Sequence, residues 1–425
     1  MTTNLTADSG RTGLDTEFPS IDGARLLRRL DELNAHGAID GGGVCRLALT
    51  DADRAGRDWT VAQMRALGME VTIDAIGNGV AILAGHENLP PVMVGSHIDT
   101  VRTGGSYDGN YGVMAGLEVV AALRDAGVRL RRPLAIAFFT NEEGARFQPD
   151  MMGSLVYVGG MSLDEALAAG GIDGSTVGAE LERIGYRGDA PIGRPEVDSF
   201  VELHIEQGPV LDRMGVEIGV VEGVQGISWT EFVLEGVSNH AGTTPMALRH
   251  DAGYCAARIA TFVHDLALRY GGRQIGTVGA IRFEPNLVNV IPNRATFTVD
   301  LRNTDGTALS QAEAEVLAFS HQTCATEGVA LRQRSLARFE PVAFDPLVTG
   351  LVQRHSDALG LSTLRMPSGA GHDAQMLARV CPAGMIFVPS VGGLSHNVRE
   401  FTEPADLVRG AQLLMRVVVS LANRP

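Results

Sequence analysis

Lysine is absent from the 425-residue sequence, so every one of its 35 basic residues is an arginine. That absence excludes Schiff-base chemistry, a phosphate loop ending in lysine, Ser-Lys or Cys-Lys-Glu amidase machinery, and metal sites bridged by a carboxylated lysine. Gly-x-Ser-x-Gly is missing as well, which argues against a serine nucleophile on a strand-to-helix elbow. Cysteine is scarce: Cys45, Cys255, Cys324 and Cys381 lie far apart with no Cys-x-x-Cys pair. They read as thiols of a reducing compartment, and a cytoplasmic location is expected. No run approaches the roughly 20 apolar residues that a membrane span needs. The polar start, Met1 to Pro19, lacks the basic and apolar segments of a secretory signal. Positive charge is the minority sign: the net charge is -15 and the pI about 5.2. Neither nucleic acid nor a membrane is therefore expected as a partner.

What the sequence holds is length enough for two cores. Its 45% hydrophobic and 20% charged residues are ordinary for a globular protein, and its 52 glycines suit tight strand-to-helix turns. Val92-Met93-Val94 and Leu134-Ala135-Ile136-Ala137-Phe138-Phe139 read as buried strands of a parallel sheet. Phe200 to Ile205 and Met385 to Val388 are further strands. Helical spacing marks 21–35, 110–126 and 405–422, and Thr50 or Asp51 caps another helix. Ser162-Leu163-Asp164-Glu165 has capping-box form, and Gly77-Asn78 sits as a hairpin turn between strands at 71–76 and 79–84. From about 219 the texture changes to β-rich segments at 227–235, 274–282, 287–291 and 295–301, around helices at 250–270 and 308–327, with 331–335 closing the unit. After Pro341 the helix–strand texture returns, with a helix over 369–379 behind a glycine-rich entry. The expected fold class is α/β: a domain of residues 1–218 and 336–425 with a central mixed sheet flanked by helices, and an inserted α+β domain of residues 219–335.

Both central strands run into ionisable residues. Gly95-Ser96-His97-Ile98-Asp99-Thr100-Val101 closes the first, Thr140-Asn141-Glu142-Glu143 follows the second, and Tyr107-Asp108-Gly109 lies between. The carboxyl ends of strands in an open α/β sheet are where sites are built. His97, Asp99, Asp108, Glu142 and Glu143 can therefore converge there, around one divalent metal or two that share a carboxylate. His-x-Asp alone says little, and Asp108 before a glycine also fits a turn aspartate with its own local hydrogen bond. Adjacent Glu142 and Glu143 say more, because two buried carboxylates repel unless a cation offsets them; a solvated charged loop is the plainer alternative. His204 ends an apolar strand and His396 lies in a loop, Gly392-Gly393-Leu394-Ser395-His396-Asn397; each alone fits a hydrogen-bonded histidine. Together, His97, Asp108, Glu143, His204 and His396 supply ligands for two metals if Asp108 bridges. Glu142 is then free to act as base and acid, and Asp99 to fix the His97 tautomer.

In order along the chain stand Gly95-Ser96-His97-Ile98-Asp99-Thr100-Val101, Tyr107-Asp108-Gly109, Asn141-Glu142-Glu143-Gly144-Ala145-Arg146-Phe147, His204-Ile205-Glu206-Gln207-Gly208-Pro209, Asn239-His240-Ala241-Gly242-Thr243-Thr244-Pro245-Met246, Ser368-Gly369-Ala370-Gly371-His372-Asp373-Ala374 and Ser395-His396-Asn397. This series resembles the hydantoinase/carbamoylase amidases of the dimetal aminoacylase and carboxypeptidase-type superfamily. The resemblance implies two divalent metal ions per subunit (zinc, manganese, cobalt or nickel) on His97, bridging Asp108, Glu143, His204 and His396. It implies Glu142 as general base, Asp99 as the residue orienting His97, and His240 as the group that holds the oxyanion. Gln207, His240, Asn289, Arg302 and the backbone at Gly369 and Ala370 are implied to contact the substrate. The inserted domain, ferredoxin-like in this family, is implied to be lid and dimer interface. His240, Asn289 and Arg302 then reach the neighbouring subunit's metals, and the expected state is a homodimer with composite active sites. In peptidase relatives an acid commonly stands where this chain has His204, and the histidine favours the branch that cleaves ureido bonds. The implied substrate is a small molecule bearing a carboxylate, foremost an N-carbamoyl-L-amino acid. N-carbamoyl-β-alanine, allantoate and other N-acyl amino acids are the alternatives, and a non-enzymatic binding protein is disfavoured by the intact ligand set and Glu142. His372 receives no role, and Arg249 and Asp251 fit a structural pair at a helix start.

Overall fold

The computed structural model describes residues 18–425; the polar start read above falls almost wholly outside them. Its thirteen strands are Glu70–Ile73 (β1), Gly79–Leu83 (β2), Val92–His97 (β3), Leu134–Phe139 (β4), Ser199–Ile205 (β5), Ile218–Val224 (β6), Gly226–Glu235 (β7), Ile275–Glu284 (β8), Arg294–Asn303 (β9), Ala330–Phe339 (β10), Val342–Ala343 (β11), Thr363–Ser368 (β12) and Ala383–Val388 (β13). The chain divides into two compact units. One comprises the residues up to Glu222 with Phe344–Met366 and Gly371–Pro425; the other is Gly223–Ala343 with Pro367–Ala370.

The larger sheet has the order β1-β2-β4-β3-β5-β13-β6-β11, with β12 beside β6. Its centre is parallel: β3 pairs with β4 and β5, and β5 with β13. Every residue of β3, β4, β5 and β13 is buried, which is why these strands read as continuous apolar runs rather than alternating ones. The helices Asn110–Asp125 and Pro404–Ala422 share the core with them: Leu117, Val120, Leu413 and Val417 lie in one cluster with Val94, Ile136, Leu203 and Ile386. All four parallel strands therefore deliver their carboxyl ends to the same edge of the sheet. There the apolar sequence gives way to His97, to Thr140–Glu143, to His204–Gln207 and to the segment 389–400.

The second unit carries an antiparallel sheet, β10-β7-β9-β8, with the helices Ala252–Tyr270 and Gly306–Glu327. The sequence of elements is βαββαβ, the ferredoxin-like arrangement. Its own core gathers Phe232, Phe297, Val299, Ile259 and Val316, with the Phe232 and Phe297 rings stacked at 5.3 Å.

Local signals hold where side-chain chemistry forces them. Thr50 caps the helix Asp51–Ala66, and Ser162 with Glu165 forms the capping box. Three segments differ from expectation. The strand expected over 71–76 stops at Ile73, because the Asp74 carboxylate takes the amides of Ile76 and Asn78 and curls the chain. No strand forms at 287–291: Asn286 has a left-handed φ of 55°, and only an isolated bridge joins Val290 to His240. The helix expected over 369–379 is reduced to Asp373–Leu377, since the glycine-rich entry bends at Gly369 and Ala370, and His372 is extended.

Candidate metal centre

Asp108 stands at the middle of the strand-end cluster. Its Oδ1 lies 3.3 Å from His204 Nε2 and 3.7 Å from His97 Nε2. Its Oδ2 lies 3.2 Å from His396 Nε2, which in turn is 3.2 Å from Glu143 Oε2. Two groups of ligand atoms thus share one carboxylate: His97, Asp108 and His204, and Asp108, Glu143 and His396. A third grouping, Glu202 with His204 and His372, adjoins the first; there each Glu202 oxygen already accepts one hydrogen bond, from the Ser96 hydroxyl at 2.6 Å and the Ala374 N–H at 2.7 Å. Glu142 faces the first group, its Oε2 3.3 Å from His97 Nε2.

The backbone makes this proximity possible. Gly109 (φ 65°) turns the chain into the helix Asn110–Asp125, and a Cβ at that position would run into the His97 ring. His396 is itself left-handed, at φ 54°, which aims its ring back toward Asp108 from a largely half-buried loop. Gln207, also left-handed, donates from Nε2 to Asp108 Oδ2 (2.9 Å) and to Ser395 Oγ (3.2 Å).

Hydrogen bonding decides whether the set suits a cation. His97 Nδ1 is 2.9 Å from the Asp99 carbonyl oxygen, and His204 Nδ1 is 2.9 Å from the Ile205 carbonyl oxygen. A carbonyl accepts only, so both Nδ1 atoms carry hydrogen and it is Nε2 of each ring that faces the Asp108 carboxylate. His97 stays neutral there, whereas His204, opposed by burial but drawn up to about 9 by Asp108, holds a proton in that place when no cation does. The Gly109 N–H also points at His204 Nε2, at 3.1 Å. A metal ion can take the place of that His204 proton, and imidazole with carboxylate is a donor set for zinc, manganese, cobalt or nickel. The residues fit a metal.

The same crowding of charge shows in the titration of the groups. Burial raises Glu142 well above the usual glutamate range, and the charges of Asp373, Glu143, Asp108 and Asp99 add to it. Burial raises Asp99 to about 8, with Asp53 and Glu143 contributing. Burial also opposes the Asp108 carboxylate, yet the His204 and His396 imidazoles hold it well below its ordinary value. Burial pulls His97 down to about 4.

One contact differs from the sequence reading. The Asp99 carboxylate does not accept from His97; its backbone carbonyl does. The carboxylate is drawn instead to the amides of Glu142 and Glu143, each at 3.3 Å, so it anchors the turn that carries both glutamates. Arg249 and Asp251 take separate partners: Arg249 binds the carbonyls of Thr244 and Ala241, and Asp251 caps the helix Ala252–Tyr270. Glu202 and Glu400 carry no motif that marks them in the sequence. A charge inside the buried run Phe200-Val201-Glu202-Leu203 was the available signal for the first; Glu400 lies in an irregular loop and offered none.

The residues expected to contact substrate from the second unit lie apart from any cluster of their own. His240 and Asn289 are exposed. His240 Nδ1 accepts the amides of Gly242 and Thr243, at 3.0 and 3.2 Å, so in the neutral ring Nε2 carries the hydrogen. The Asn289 carbonyl accepts from the Ala241 N–H, fixing the two loops together. Arg302 donates to Asp300 through Nε and Nη2 and to the Gly369 carbonyl from Nη1 at 2.7 Å. Ala370 N–H bonds the Ser368 hydroxyl.

Comparison with known proteins adds the wider setting. Residues 93–420 match peptidase family M20/M25/M40. An N-carbamoyl-L-amino-acid amidohydrolase of Rhizobium meliloti is 38% identical over 404 residues, covering 95% of this chain and 97% of that one. A Geobacillus stearothermophilus protein of the same description is 37% identical, over 95% and 99% of the two chains. The solved structure of a hydantoinase/carbamoylase family amidase from Burkholderia multivorans superposes with a TM-score of 0.93 at 42% identity, covering 96% of this chain and 99% of that one.

Proposed function

This chain belongs to peptidase family M20/M25/M40, among its hydantoinase/carbamoylase amidases, and from that premise we propose that it hydrolyses N-carbamoyl-L-amino acids to the L-amino acid, carbon dioxide and ammonia. It is an amidohydrolase acting on linear C–N amide or ureido bonds. The reading rests chiefly on Asp108, whose two oxygens face two separate ligand groups. His97, His204 and Asp108 would hold one divalent ion, and Asp108, Glu143 and His396 a second. When bound, such ions supply Lewis acidity to the scissile carbonyl and make water a better nucleophile near neutral pH.

The chain's own groups do the rest. Glu142, raised by burial and by neighbouring carboxylates, takes a proton from water and returns it to the leaving nitrogen; a raised value suits a group that works as both base and acid. Asp99 holds the amides of Glu142 and Glu143 and so orients the base. His240, with hydrogen on Nε2, donates to the developing oxyanion. Arg302 and Asn289 grip the substrate carboxylate, the planar guanidinium matching its two oxygens. Gln207 and the backbone at Gly369 and Ala370 complete the contacts. The second unit serves as lid and dimer interface, so that the working enzyme is a homodimer with composite sites, and lid closure excludes water during turnover. No helix among the described residues is long and apolar enough to cross a membrane. Four cysteines with free thiols suit a cytoplasmic location.

The test is metal analysis of the purified protein together with a panel of N-carbamoyl-α-amino acids, N-carbamoyl-β-alanine, allantoate and N-acetyl-amino acids. Highest kcat/KM on the L-carbamoyl compounds, lost on chelation and regained with a divalent metal, is the expected result. Preference for one of the other substrates would move the assignment to that hydrolase. Activity indifferent to chelation and to added metal would remove the mechanism.

A further inference from the structure

Glu400 is buried, at 6% exposure, and ties together two loops that sequence separates by 292 positions or more. Its Oε1 accepts the backbone N–H groups of Tyr107 (2.9 Å) and Asp108 (3.2 Å). Its Oε2 accepts from the Ser395 hydroxyl at 3.0 Å. One side chain therefore holds the backbone of Asp108 and the residue before His396. The fold reserves room for it: a Cβ on Gly105 would overlap the Glu400 carboxyl.

We infer that Glu400 is a positioning residue that sets the second ligand group, Asp108 with Glu143 and His396, by directing the Ser395 hydroxyl away from Asp108. The inference rests on the metal reading above. Ser395 Oγ lies between two acceptors, Glu400 Oε2 at 3.0 Å and Asp108 Oδ2 at 3.3 Å, and it has one hydrogen to give. The Glu400 carboxylate takes that hydrogen. Asp108 Oδ2 then accepts from Gln207 and keeps its other lone pair for His396 Nε2, 3.2 Å away, or for an ion between the two. With Glu400→Gln the side-chain amide can turn its NH2 to Ser395 Oγ, and the hydroxyl must swing to Asp108 Oδ2. That occupies the oxygen needed by the second group while leaving Oδ1, and so the His97–His204 group, unaltered.

The experiment titrates metal-free protein with Mn2+ by calorimetry, comparing the unaltered chain with Glu400→Gln, Gly105→Ala and the double variant, and records the melting temperature of each metal-free form. Two binding steps are expected for the unaltered chain. In Glu400→Gln one step should weaken roughly 10–100-fold, the range typical of partners that orient a ligand, while the other stays within about twofold and the metal-free melting temperature is unchanged. Gly105→Ala, which displaces the same carboxyl by sterics alone, should weaken the same step, and the double variant should fall short of the product of the two. Equal affinities in Glu400→Gln and the unaltered chain, or equal weakening of both steps, would overturn the inference while leaving the metal reading intact. No binding step in the unaltered chain would instead defeat the metal reading, and this inference with it.

Discussion

The two units treat their functional residues in opposite ways. In the larger unit His97 and His204 are 1% and 0% exposed, and they sit among carboxylates that burial alone would neutralise. In the smaller unit His240 and Asn289 are exposed, and their loops are held by hydrogen bonds to backbone groups, two of them from Arg249, with no crowd of carboxylates around them. The first arrangement is costly unless a cation is present, so its chemistry can be argued from its own strain. The second is compatible with any exposed loop, and its role has meaning only with a ligand in place. Removing groups from the two units should therefore change different quantities.

The largest effect belongs to the buried side. Glu142→Gln should lower kcat roughly 10⁴-fold, since one residue serves as base and then acid, with metal content and melting temperature retained. Substantial turnover in that variant would mean that another group moves the proton. His240→Ala should cost about 10²–10³ in kcat, the scale of a lost oxyanion donor, again with metal affinity unchanged. A fall in metal affinity instead would blur the division between the units. Chelation should act the other way round. A metal present at 100 times its Kd stabilises the folded chain by about 2.7 kcal/mol. Its removal should loosen amide exchange at 97–108, 140–143 and 393–400 and spare the sheet of 226–339; uniform loosening of both would mean that the cation does not act on the larger unit alone.

How much of this the sequence carried follows the same division. Continuous apolar runs announced β3 and β4, and the ionisable residues just beyond each run marked the edge where His97, Asp108, Glu142 and Glu143 meet. His396 was singled out from its loop although only its left-handed backbone brings it to Asp108, and no periodicity encodes that. The direction of a side chain is not legible either: two residues past His97, Asp99 reads as its partner, yet its carboxylate turns to two amides. Glu400 stayed hidden because its partners, Tyr107 and Asp108, are far away in sequence. In the smaller unit alternation gave β7 and β9, while 287–291 imitated a strand until Asn286 and the pairing of Val290 with His240 set another path.

Arg302→Lys sharpens the comparison with the smallest effect. The guanidinium already spends Nε and Nη2 on Asp300 and one Nη1 hydrogen on the Gly369 carbonyl, and it lies 5.9 Å over the Trp229 ring. Five hydrogens in a planar fork let it keep those partners and still offer donors to a carboxylate; an ammonium offers three from a single point. The substitution should raise KM about 10-fold, a loss of binding shared by ground and transition states, with kcat nearly constant. Metal affinity should not move, because the residue's neighbours lie wholly in the smaller unit. A carbamoyl compound lacking the carboxylate is the control: it should be cleaved equally, if poorly, by both proteins. If the lysine variant loses as much on that compound as on the carboxylated one, Arg302 is holding the shape of β9 and its neighbours rather than the substrate.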